Sequence, residues 1–167
     1  MGPWVGLPVL LLAVALQTTL VPQIRLWDGG PDLVFLCVLA WALRAPLAEG
    51  VAWAFTGGIM QDLLSLAPTG QSVIGLVLLV FVVNVLTEQF SRTGLLTLLL
   101  LAGAGTLAQQ LLMWSLFAFQ GYTVDFLDDL GYVIFPTVIY NFALILPVFA
   151  VLRFVQRRVE ARQLVAR

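Results

Sequence analysis

The sequence predicts an all-α, polytopic membrane protein with six transmembrane helices and both termini in the cytoplasm. The chain is 61 % hydrophobic and only 10 % charged, against about 25 % charged in soluble domains. Mean hydropathy is +1.03. Its apolar residues form long runs rather than amphipathic stripes, so lipid takes the place of a soluble core. The arginines, finally, segregate to one side of the predicted crossings.

The first predicted helix runs from Trp4 to Pro22 and is read as retained, because it has neither a basic n-region nor an A-x-A site. Gln17, Thr18 and Thr19 lie in its second half and are expected to face neighbouring helices. Gln23 to Gly30 is a polar connector with Trp27 suited to an interface. Gly29-Gly30-Pro31 is turn chemistry, and Asp32 is placed as the N-cap of the second helix, Asp32 to Arg44. That helix is short, roughly 20 Å. It reads as a thin crossing or a re-entrant segment.

The third helix, Leu47 to Leu66, covers the roughly 30 Å hydrocarbon core at about 1.5 Å per residue. Gly50, Ala54, Gly58 and Asp62 recur at four-residue spacing and form one stripe, with Gly57 beside it. Small residues let backbones approach closely in lipid. The stripe is therefore expected to be a close-packing seam, inside the bundle or against a partner's helix. Asp62 sits near the helix end where the macrodipole disfavours an acid, so it either ends the span or has a function.

Thr69 is placed to cap the fourth helix, Gly70 to Leu86. The connector Thr87 to Arg92 carries Glu88 and Arg92 at i,i+4 spacing. In the fifth helix, Gly94 to Phe119, Thr106, Gln109 and Gln110 lie at mid-depth and are expected to face protein. Gly121 to Gly131 is an acidic loop with Asp125, Asp128 and Asp129, read as solvated charge. The sixth helix, Tyr132 to Leu152, has Asn141 near its midpoint and Pro136 and Pro147 as candidate bends. Residues 1–152 thus form one transmembrane domain, and Arg153 to Arg167 a short basic cytoplasmic tail.

Six crossings put Arg44, Arg92, Arg153, Arg157, Arg158, Arg162 and Arg167 on one side and leave only Arg25 opposite. The positive-inside rule makes that side cytoplasmic. Dropping the second crossing would separate Arg44 from Arg92 and spoil the segregation.

Several function classes lack their residues. The chain has no His or Lys and a single cysteine, Cys37, so the usual metal clusters and the commonest general base are missing. No phosphate-binding glycine loop and no basic–aromatic patch for nucleic acid is visible. The reading is a non-enzyme with no catalytic residue, metal or cofactor. Asp62, Gln109, Gln110 and Asn141 are too few and too neutral to favour an ion pathway.

Leu16-Gln17-Thr18-Thr19-Leu20, then Pro31-Asp32-Leu33, then Gly50, Gly57, Gly58, Asp62-Leu63-Leu64-Ser65 and Gly70 form an ordered set. That set resembles the bacterial rod-shape-determining MreD family, most specifically over the first seventy residues. The resemblance puts family motif positions on Gln17, Pro31, Asp32 and Gly70, and on the Asp62 that closes the third helix. It implies a scaffold of the cell-elongation complex in the bacterial cytoplasmic membrane. Its partners would be an MreC-like single-span protein, a RodA-like polymerase with its penicillin-binding partner, and, indirectly, MreB. It also implies a fold similar to the substrate-binding subunits of ECF vitamin transporters. Membership of such a transporter is the alternative function.

Overall fold

The computed structural model describes residues 6–65, 70–89, 94–121 and 126–165, the side chains of 88–89, 126 and 158–165 excepted. The named elements among them are all helical. In order they are α1 (Gly6–Thr19), α2 (Val21–Ile24), α3 (Leu33–Ala42), α4 (Leu47–Leu64), α5 (Gln71–Gln89), α6 (Leu95–Phe119), α7 (Phe126–Asp129), a π-turn (Leu130–Ile134) and α8 (Phe135–Val165).

The short helix α3 is the centre. Val34 through Trp41 are all buried, and α1, α4, α5, α6 and α8 pack around it. A helix that is apolar on every side must be enclosed, whether by lipid or by protein. Here the enclosure is protein. At the far end of α3, Trp41 stacks on Trp53 of α4 with ring centroids 4.1 Å apart and planes 9° from parallel.

Helix α4 is thin on two faces. A Cβ added at Gly57 would lie 2.9 Å from Val34 Cγ1 of α3 and 3.2 Å from Leu10 of α1. One residue on, a Cβ at Gly58 would lie 2.6 Å from the Val73 Cα and 2.7 Å from its N on α5. Gly50 meets Val80 of α5 and Ala42. The small residues therefore let α4 wedge between α3 and α5 at backbone distance.

The entry to α3 is folded tightly. Leu26 and Gly29 exchange backbone hydrogen bonds around Trp27, whose φ is 52°. Asp28 N–H donates to the Tyr132 carbonyl, and Trp27 meets the Tyr132 ring edge-on at 5.7 Å. The Tyr140 hydroxyl donates to the Ile24 carbonyl. The connector is thereby tied to the start of α8.

Two helices are long and apolar enough by length and composition to cross a membrane, Leu95–Phe119 and Leu127–Arg157. Gly6–Thr19, Leu33–Ala42 and Gln71–Thr87 are apolar but shorter. Exposed apolar side chains cover the outside, among them Leu12, Leu96, Leu100, Phe142 and Phe154. An all-helical chain with an apolar exterior suits lipid.

Several expected boundaries move. The run expected from Trp4 to Pro22 breaks after Thr19, and Pro22 falls at the start of the turn α2, where its missing N–H costs nothing. Thr18 and Thr19 are exposed and donate back to Val14 and Ala15 carbonyls of their own helix rather than to neighbours. This hides the hydroxyls from an apolar surround. Thr87 to Gln89 extend α5 instead of forming a connector, while Arg92 lies outside the described residues. Asp128 and Asp129 sit in the helical turn α7, and Asp125 lies outside the described residues. Pro136 lies in the first turn of α8 and only Pro147 in its interior. Past Leu152 the helix continues to Val165, because no Gly or Pro interrupts that stretch.

The Gly58 contact predicts a sharp contrast. Gly58→Ala should destabilise the purified protein by about 1–3 kcal/mol, the usual range for overpacking against backbone. Gly103→Ala, whose new Cβ would meet only Phe142 at 4.0 Å, should be neutral or slightly stabilising. Thermal unfolding in mild detergent checks both. Equal melting points for the two variants would refute the seam.

Candidate functional site

The first turn of any helix leaves backbone N–H groups without intrahelical partners. Inside a bundle no water replaces them, and each unmet donor costs about 1–3 kcal/mol. Two helices of this chain start in such surroundings, and both recruit an aspartate.

At the start of α3, Asp32 accepts from Phe35 N–H at 3.0 Å. Its own N–H donates to Asn141 Oδ1 of α8 at 2.9 Å. Val34 N–H donates to Gln17 Oε1 of α1 at 3.1 Å. The carboxylate is held from a third side by Gln61 of α4, whose Nε2 donates to both oxygens at 3.2 Å. Asn141 in turn donates through Nδ2 to Thr106 Oγ1 of α6 at 3.0 Å, and Thr106 donates to the Ala102 carbonyl. One polar network thus joins α1, α3, α4, α6 and α8. Pro31, buried just before Asp32, sets the entry.

Asp62, 3 % exposed, serves the second start. It accepts from Gly70 N–H at 2.6 Å through Oδ2 and from Ser72 N–H at 3.1 Å through Oδ1. The positive end of the α5 dipole suits this carboxylate better than the end of its own helix does. Thr69, the cap expected from the sequence, lies outside the described residues. Gly70 adopts a φ of +102°, which a side chain would disfavour, at the turn that brings its N–H to Asp62.

Of the singled-out residues, Gln17, Asp32 and Asn141 come together in the network around the α3 start. Asp62 and Gly70 meet at the α5 start. Gly50, Ala54, Gly57 and Gly58 are buried against other helices of the same chain. Gln109 is buried elsewhere, over Gly75 of α5, and Gln110 is half-buried outside the network. Gln61 was not singled out. Its signal is the i,i+4 relation to Gly57, which puts both on the α4 face toward α3. Gln71, beside Gly70, is 4 % exposed, and neither amide atom has a partner among the described residues.

Chemically the two aspartates act as acceptors for backbone donors. Among the described residues no group of three metal-ligating side chains assembles. The family model for the rod shape-determining protein MreD matches residues 1–158. The chain belongs to the MreD family. A search of curated proteins and one of solved structures returned no match. Membership makes this MreD-family chain a membrane protein that acts in determining rod shape. The fold's apolar exterior agrees with that setting.

Removing a cap should read directly on stability. Asp62→Ala should cost about 1–2 kcal/mol, as loss of a helix cap does, with Asp62→Asn intermediate because one amide oxygen remains to accept. In a double-mutant cycle, Asp32→Ala and Gln61→Leu should couple by about 0.5–3 kcal/mol. Additive losses in detergent unfolding would show that the Gln61–Asp32 contact carries no energy.

Proposed function

We propose that this chain is a non-enzymatic scaffold of the cell-elongation complex, built as six crossings of the bacterial cytoplasmic membrane with both termini inside. The family match over residues 1–158 carries the reading. What the polar groups do supports it. Asp32 and Asp62, the carboxylates best placed for chemistry within the bundle, are occupied by backbone N–H groups. The small-residue stripe, in the same reading, is a packing seam of the chain itself and leaves partner binding to the apolar exterior. There an MreC-like single-span protein docks, and through it a RodA-like polymerase with its penicillin-binding partner and, indirectly, MreB.

The length of α3 is consistent with six crossings despite its ten residues. Its start is pinned to Asn141, which lies on α8 about 9 Å along the axis from Phe135. The connector thus enters to that depth before α3 begins, and α3 adds roughly 15 Å more. Together they approach the thickness that one long helix would cover.

Purification in mild detergent with mass spectrometry of associated proteins tests the partnership. A single-span MreC-like protein and cell-wall synthases are the expected companions. An ATPase pair with a coupling membrane subunit would replace the scaffold with a vitamin transporter subunit. Sidedness is tested separately, by single cysteines at Gln163 and Asp128 in a Cys37→Ala background. An impermeant thiol reagent on intact cells should label position 128 and spare position 163; the reverse pattern would invert the topology.

A further inference from the structure

The end of the bundle away from the two capped starts holds a cavity of about 330 Å³. It lies where α3 ends, α4 begins and α8 passes, and its lining includes Trp41, Arg44, Glu49, Gln156 and Arg157. Two guanidiniums against one carboxylate leave a formal charge of +1. Arg44 is steadied by the Phe149 ring, whose centroid is 5.7 Å from its guanidinium carbon. Gln156 is 7 % exposed, and the buried indole N–H of Trp41 has no hydrogen-bond partner among the described residues. A buried donor without a partner beside a cavity marks polar capacity that a ligand can satisfy.

The helix ends act in opposite senses. α4 begins at the cavity with Pro46 as N-cap, which makes no side-chain cap bond, so its positive dipole end favours an anion. The C-terminal end of α3 disfavours one, which leaves the sign to the arginines. Arginine forks match the oxygens of phosphate in pairs.

We propose that this cavity binds a phosphate ester, with Arg44 and Arg157 holding its oxygens and the Gln156 amide donating to it. Under the six-crossing reading, on which only the source of the ligand depends, the site lies at the cytoplasmic surface. An anionic lipid headgroup is then the nearest source, since basic pockets between transmembrane helices on that side take such headgroups. A soluble phosphate ester offers the same chemistry.

The test is native mass spectrometry of the full chain in detergent, titrated with phosphatidylglycerol, phosphatidylcholine or glycerol phosphate. Phosphatidylglycerol bound at least tenfold tighter than phosphatidylcholine, and not displaced by glycerol phosphate, supports the site with a lipid as its ligand. Displacement by glycerol phosphate at comparable concentration supports it with a soluble ester. Arg157→Gln should weaken binding roughly tenfold, as loss of a charge-assisted hydrogen bond does. Arg153→Gln removes the same charge from the same helix outside the lining and should change nothing. Gln156→Leu gives a second variant should Arg157→Gln lower the melting point in phosphatidylcholine, and it too should weaken binding. The proposal is overturned if phosphatidylglycerol binds no better than phosphatidylcholine and glycerol phosphate does not bind. Equal weakening by Arg153→Gln and Arg157→Gln overturns it as well. Detergent solution has no sides, so failure here leaves the topology standing, and an inverted topology leaves the cavity's chemistry standing.

Discussion

Starting a helix in the interior is the constraint from which the rest of this structure follows. The α3 N–H groups of the first turn have no water to meet, and Asp32, Asn141 and Gln17 supply their partners. Three unmet donors at about 1–3 kcal/mol each would together cost an amount comparable with the roughly 5–15 kcal/mol that holds a typical domain folded. The acceptors must therefore arrive at fixed heights. Gln17 sets the register of α1, Asn141 that of α8, and Thr106 ties α6 to Asn141. Gln61 does the same for α4. Hydrophobic burial cannot set register this way in lipid, because the tails are as apolar as the side chains they would release.

Close approach is the second requirement, and it explains why two glycines stand side by side. Consecutive helical residues point about 100° apart, so Gly57 can face α3 while Gly58 faces α5. A single stripe thins one face; the pair thins two. The residues four positions on complete the arrangement. Gln61 follows Gly57 toward the α3 start, and Asp62 follows Gly58 toward the α5 start. One thin face ends in the amide that holds the α3 cap, Asp32, and the other in the carboxylate that caps α5.

Much of this was legible in the sequence, and the misses have physical reasons. Asp32 announced itself as a cap because it stands between turn residues and an apolar run. Asp62 was conspicuous as an acid at the wrong end of a helix, yet its donors lie across a turn, where a nearer threonine suggested the cap. Gln61 passed unnoticed beside that stronger signal. The central position of α3 could not be read, since a uniformly apolar helix looks the same facing lipid or protein. The helix end expected at Leu152 was misplaced because charge dominated the reading of residues 153–165. Their helix-forming residues, uninterrupted by Gly or Pro, are what continue α8.

The distribution of polar groups bears on how such a protein can organise others. Dispersion between apolar helices is individually weak and nearly indifferent to small slides. Hydrogen bonds to backbone N–H groups are directional and lose strength steeply with misalignment. Carrying the directional contacts inward, through Asp32, Asn141, Gln61 and Asp62, leaves an exterior of side chains such as Leu96, Leu100 and Phe142. Such side chains offer no polar group to choose a partner by hydrogen bonding. Any selectivity it has must come from shape, and shape is only as constant as the helix heights beneath it. The buried network holds those heights. The interior polarity of this chain is thus a condition for specific contact at an apolar surface.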